Sequence, residues 1–176
     1  MDYPWYEPVT GNDIEQGDIL DNCPVFIWPM DPAANRSGES SEPVTVDFER
    51  RTVIVMSQTC DMVKGREKIR EVLLCGVWDP ADLGTLGTKS SLEEMRKGRL
   101  PAFALLNEHR RGAFDVGHRV VDFRTIHSLP LAVCRQIAFS SGRRLRLLPP
   151  YREHLSQAFA RFFMRVGLPV DIPPFR

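Results

Sequence analysis

No two cysteines in this sequence are spaced as Cys-x-x-Cys, and no two histidines as His-x-x-x-His. Four cysteines (Cys23, Cys60, Cys75 and Cys134) are too few and too scattered for a disulfide scaffold, and a cytosolic chain would keep them reduced. The histidines, His109, His118, His127 and His154, lack zinc-site spacing, so neither a metal nor any other cofactor is expected. Long apolar runs are missing as well. Asp, Glu, Lys or Arg interrupts each one short of the roughly 18 residues that a membrane span requires. Residues 1–10 are acidic and Pro-rich, unlike a secretory signal. These absences predict a cytoplasmic protein with no membrane partner. Basic residues are nearly absent from positions 1–49, where Arg36 stands alone against eleven Asp and Glu, a charge of −10. Positions 50–176 carry twelve acids and twenty-two Lys and Arg, a charge of +10. Such a split points either to a polyanion-binding half or to pairing between the halves.

What is present is ordinary globular material: 176 residues, 43 % hydrophobic and 26 % charged, enough for one domain with a real core and no internal repeat. The first apolar segment, residues 19–28, contains Pro24, which suits an edge strand or two short strands. Residues 29–43, rich in Pro and Ser, read as a loop. A strand is expected at 44–48. The β-branched run at 51–57 predicts a strand buried on both faces, as does residues 71–78, and the polar link 61–70 would join them as a hairpin. Ser90 and Glu93 form a capping box and Gly98 a stop, predicting a short helix over 90–97 on an insertion spanning 79–100. Strands are expected at 103–106 and 118–126. Leu155, Phe159, Phe162 and Val166 then recur at helical spacing, after Pro149-Pro150 and before Gly167 and Pro169. The fold class is therefore mainly β with accessory helices: a small barrel closed by a C-terminal amphipathic helix.

Three stretches carry a further pattern. Gly17-Asp18-Ile19 precedes the first strand. Arg51 opens a run of apolar residues that ends on Ser57. A late segment, 117–126, holds Arg119, Asp122, Arg124, Thr125 and Ile126 ahead of the arginine-rich turn and the final helix. Together these resemble the MazF/PemK (Kid-like) family of toxin endoribonucleases, across about 100 residues in order. The resemblance implies an SH3-like β-barrel, usually a homodimer, that cuts single-stranded RNA without a metal by attack of the ribose 2′-hydroxyl on the adjacent phosphate. It makes Arg51 the phosphate-stabilising cation and Asp122 the acid/base carboxylate, with Arg119 or Arg124 as a second cation. Guanidinium groups suit this work because their planar fork binds phosphate in a bidentate way and stays protonated. Where the family often has Thr or Ser, residues 74–78 carry no hydroxyl, and Thr52 replaces its Pro.

Gln58-Thr59-Cys60-Asp61 follows a buried strand directly, where polar groups can face a cleft. Cys60 is a candidate thiol nucleophile with His118 as its base, and Gln58 and Asp61 are candidate substrate contacts. The plainer reading is a half-buried cysteine beside an Asp that caps the next turn. Residues 143–146 alternate like a strand with arginines outward, so Arg143 and Arg144 are candidate phosphate contacts, or partners of the acidic N-terminus. His127 and His154 read as surface or cap residues, and Trp5, Tyr6, Trp28 and Trp78 as base-stacking or packing groups. Three functions stay open: RNA cleavage; a catalytically inactive barrel that binds RNA or another polyanion, partnered by an antitoxin or a defence-system protein; and a Cys60-dependent thiol enzyme.

Overall fold

The β-branched run at 52–55 builds the centre of the sheet, because Val53, Ile54 and Val55 are all fully buried, with both strand faces covered. The structure is a computed structural model that describes residues 3–27, 47–112 and 114–164. The expected 29–43 loop, Trp28, residues 44–46 of the expected next strand, and Val166, Gly167 and Pro169 lie outside the described residues. The chain is mainly β. Its strands are β1 (Tyr6–Thr10), β2 (Ile19–Ile27), β3 (Asp47–Val55), β4 (Glu71–Trp78), β5 (Phe103–Leu106), β6 (His109–Arg111), β7 (Phe114–Val116), β8 (Arg119–Pro130) and β9 (Arg143–Leu147). The helices are α1 (Lys89–Arg96), α2 (Leu131–Ser140) and α3 (Tyr151–Phe163).

Five strands form one antiparallel sheet in the order β2-β3-β4-β8-β5, while β1 pairs with β9 and β6 with β7. β2 and β5 stand at the sheet's two edges, and the described strands form no closed barrel. Pro24 sits on the edge strand β2, where its missing N–H costs no ladder bond. The segment is one strand and not two short ones, with a bulge between Leu20 and Cys23 where Asn22 has φ 55°.

Gly17 and Asp18 tie the β1–β9 pair to the main sheet. The Gly17 N–H donates to the Val55 carbonyl at 2.9 Å, and the Leu147 N–H donates to the Gly17 carbonyl at 2.9 Å. Only glycine suits this place: φ is 88°, and a Cβ would lie 3.0 Å from the Leu147 Cβ.

One sheet face buries Leu20, Cys23, Val25, Val53, Val55, Val72, Leu74 and Leu129 beneath Leu131, Cys134 and Ala138 of α2. The other packs Ile54, Cys75, Val77, Val121 and Phe123 against α3, whose Phe159 and Phe162 rings lie 5.5 Å and 6.1 Å from that of Phe123. Each such side chain stabilises the fold by roughly 1.5–3 kcal/mol.

Two expectations change. Helix α2 was not anticipated. α1 begins at Lys89, and its cap is Thr88, whose Oγ1 accepts the Ser91 N–H, instead of a box at Ser90; Gly98 at φ 70° does end it. The 79–100 segment lays Leu83, Leu86, Leu92 and Met95 against Phe103 and Val120. No helix among the described residues is long and apolar enough to cross a membrane.

Candidate nucleic-acid interface

Gly76 is the hollow around which the Arg51 side of the sheet is arranged. It stands opposite Val53 on β3 and Asp122 on β8. A Cβ there would come within 3.0 Å of Thr125 Cγ2 and 3.2 Å of Trp78 Nε1, so the missing side chain lets the indole settle on the strand. The Arg51 guanidinium lies 5.3 Å from the Trp78 ring centroid, a cation–π distance that fixes the charge over the indole. Arg51 also donates from Nε and Nη2 to Glu49, at 2.9 Å and 2.7 Å. Arg50, Arg51, Trp78, Asp79 and Arg119 line a cavity of about 300 Å³. Arg119 donates to Asp79, which holds it at the rim.

His127 does not line this cavity, but the Arg51 charge acts on it. Burial, and secondarily the Arg51 charge, hold its imidazole below the usual 6.5, so it is neutral at pH 7. Among the described residues, neither its Nε2 nor the Trp78 Nε1, both buried, has a hydrogen-bond partner. Reading His127 as a surface or cap residue missed it. Nothing local signals its place, which depends on Arg51, 76 positions away in the chain.

Asp122, expected as the acid/base carboxylate, has another task. It is only 6 % exposed. Its Oδ1 accepts the Arg124 N–H and Nε at 2.9 Å each, and its Oδ2 accepts Arg124 Nη2 at 2.8 Å. The cause is a bulge: Cys75 pairs with Ile126 but Gly76 with Asp122, so Phe123, Arg124 and Thr125 are extra on β8. Arg124 therefore turns outward, its guanidinium 4.5 Å from the Phe103 ring centroid, with Asp122 as its anchor. Asp122 does not line the Arg51 cavity.

The arginine-rich strand β9 also differs from its reading. Arg143 is exposed and has no ion-pair partner among the described residues, whereas Arg144 is buried. Arg144 donates to Asp18 and to the carbonyls of Gly11 and Asp13. Arg146 donates to Asp18 and Glu15. At this place the acidic N-terminal segment and the basic C-terminal one neutralise each other.

Gln58, Thr59 and Cys60 line a separate cavity of about 430 Å³ with Gln16, Arg152 and Ser156. The Gln16 amide donates to the Met56 carbonyl at 2.9 Å, and its N–H to Thr59 Oγ1 at 3.1 Å. Two stretches singled out from the sequence thus stand together. Cys60 is exposed, 3.5 Å from Asp61 Oδ1, which also meets Lys68 Nζ at 3.2 Å instead of capping the turn. No histidine lines this cavity: His118 is exposed at the start of β8, and Arg152 is the cation there. The Cys60–His118 couple is not assembled. Burial pushes the other thiols up, Cys23 to about 11 and Cys75 and Cys134 to about 12.

Compared with known proteins, the chain matches no family model and no curated protein. Among the described residues no group of three or more His, Cys, Asp or Glu could hold a metal ion.

Proposed function

We propose that this chain binds single-stranded RNA through its phosphates, on an open sheet that stands for the SH3-like barrel in a divergent MazF/PemK-like protein serving a toxin–antitoxin or phage-defence system. The observation that carries the reading is the Arg51 cavity, which Arg50, Arg51 and Arg119 line and where Arg51 lies over the Trp78 indole. Guanidinium groups grip phosphate oxygens, and an aromatic face beside them takes a base or a sugar. With Asp122 held by Arg124, the arrangement favours binding over cleavage through that carboxylate.

A second reading, metal-independent cleavage, draws support from His127. His127, a neutral imidazole on which the Arg51 charge acts, is the candidate to take the proton of a 2′-hydroxyl. The 2′-oxygen would then bond to phosphorus, the P–O5′ bond would break, and the departing 5′-oxygen would take a proton from water. Arg51 would stabilise the charge on the phosphorane.

One experiment separates the two: fluorescence anisotropy of an end-labelled single-stranded RNA in EDTA, with the same samples run on a gel. Losing charge-assisted contacts worth about 1.5–3 kcal/mol, Arg51→Ala binds roughly ten- to a hundredfold more weakly. Unchanged affinity in Arg51→Ala overturns the binding reading. Cutting by the wild type that falls about a hundredfold in His127→Ala establishes cleavage; intact RNA leaves binding as the function.

A further inference from the structure

A second concave site is built of aromatic rings. Trp5 and Tyr151 stack with centroids 3.8 Å apart and planes 11° from parallel. The pair is held from both ends of the chain: the Trp5 carbonyl accepts the Leu148 N–H at 2.8 Å, and the Tyr151 hydroxyl donates to the Tyr3 carbonyl at 3.3 Å. Tyr3, Trp5, His109, Arg110, Arg111 and Tyr151 line a cavity of about 310 Å³. Tyr3 is 61 % exposed, an aromatic ring left in water where core packing does not explain it. His109 Nε2 is buried with no hydrogen-bond partner among the described residues. Arg110 is neutralised by Glu108 and Asp115, whereas Arg111 has no ion-pair partner among the described residues.

The charge of Arg119, a residue of the first cavity, is felt at this one. Tyr6 lines it, and the Arg119 charge acts on the Tyr6 phenol, opposing the rise that burial imposes. Arg119 itself lines the Arg51 cavity.

We propose that the Trp5–Tyr151 cavity is a nucleobase site, which takes one unpaired base of a nucleotide against the stacked rings while Arg111 meets its phosphate. That the natural ligand is RNA rests on the function proposed above; the base site itself does not need Arg51. A ring pair already stacked loses little freedom when a third ring joins it, and a flat aromatic base is the ligand whose shape and π-face match it. The polar groups of Asn107 and Glu108 at the same cavity offer hydrogen bonds to a base edge.

The test uses the full chain and the fluorescent nucleotide 2-aminopurine riboside 5′-monophosphate, with ribose 5-phosphate as competitor. Stacking on an indole quenches 2-aminopurine emission, so the wild type reports base insertion without any substitution. The expected result is saturable quenching that ribose 5-phosphate displaces only at roughly ten- to a hundredfold higher concentration, the range that one stacked base supplies. Trp5→Leu abolishes the quenching, and Arg111→Ala weakens it. Absence of quenching in the wild type overturns the proposal. So does equal competition by ribose 5-phosphate, or quenching that persists in a folded Trp5→Leu. If quenching holds while Arg51→Ala binds RNA as the wild type does, the base site stands and the phosphate reading falls.

Discussion

Replacing Asp18 by Ala removes the anion on which buried Arg144 and half-buried Arg146 depend. Asp18 is fully buried. Its carboxylate accepts Arg144 Nε at 2.9 Å, Arg146 Nε at 2.5 Å and Nη2 at 3.1 Å, and the Glu15 N–H at 3.2 Å. Arg144 is 3 % exposed and keeps only two backbone carbonyls once the carboxylate is gone. Coulomb energy alone is a poor guide, because burying both charges costs about as much as their attraction returns. The informative quantity is the cost of leaving one charge without its partner, about 3–5 kcal/mol. In a chain of this size 1 kcal/mol moves the melting temperature by about 2–4 °C, so Asp18→Ala should melt roughly 6–20 °C lower. Urea unfolding followed by circular dichroism measures the free energy directly, with the m-value expected to stay unchanged. The double variant Asp18→Leu/Arg144→Met, which removes both charges and keeps the volume apolar, should recover much of the loss. A loss below about 1 kcal/mol in Asp18→Ala would refute the reasoning, since a buried guanidinium without its counter-ion cannot be that cheap.

The remaining predictions concern protons and thiols. His127 should titrate below 6.5 by NMR, and Arg51→Ala should raise its pKa by removing the Arg51 charge; a titration indifferent to Arg51 would separate the two residues. Because the folded pKa is depressed, the unfolded chain takes up the proton first. His127 therefore adds stability above pH 6.5 that is lost as pH falls toward its folded value, and His127→Ala should flatten that part of the pH–stability curve. One thiol of the four should react with a disulfide reagent in the native protein at neutral pH, and none in Cys60→Ser, since Cys23, Cys75 and Cys134 are buried with raised pKa values. The Glu67 carboxyl is held at about 2 by Arg135 of α2, so its contribution is present above about 4.5 and is lost as pH falls toward 2. Hydrogen exchange in α2 should accelerate over that window, and not in Glu67→Gln.

The elements that rest on local chemistry were legible. Pro24 placed β2 at an edge, the β-branched run placed β3 in the middle, and the 155–159–162 spacing placed α3 on the sheet. Helix α2 was hidden because its buried residues, Leu131, Cys134 and Ala138, alternate with apolar ones, and Phe139 is 70 % exposed. Without an amphipathic contrast or a capping side chain, the segment has no start signal to read. Long-range pairing was illegible for a different reason. Strand periodicity put the β9 arginines outward, but Asp18, 126 residues earlier, draws Arg144 inside. The same holds for Asp122: a three-residue bulge turns it onto Arg124, and no local pattern announces a bulge of that length.

The central claim, that Arg51 meets an RNA phosphate, is tested most directly by the salt dependence of binding. Each phosphate neutralised on a single strand releases counterions and adds about 0.7 to the slope of log K against log salt. Wild type and Arg51→Ala should be titrated with the same single-stranded RNA, in EDTA, over a series of salt concentrations. The account predicts a slope shallower by about 0.7 in Arg51→Ala, with weaker binding throughout. Two superimposable lines would contradict it.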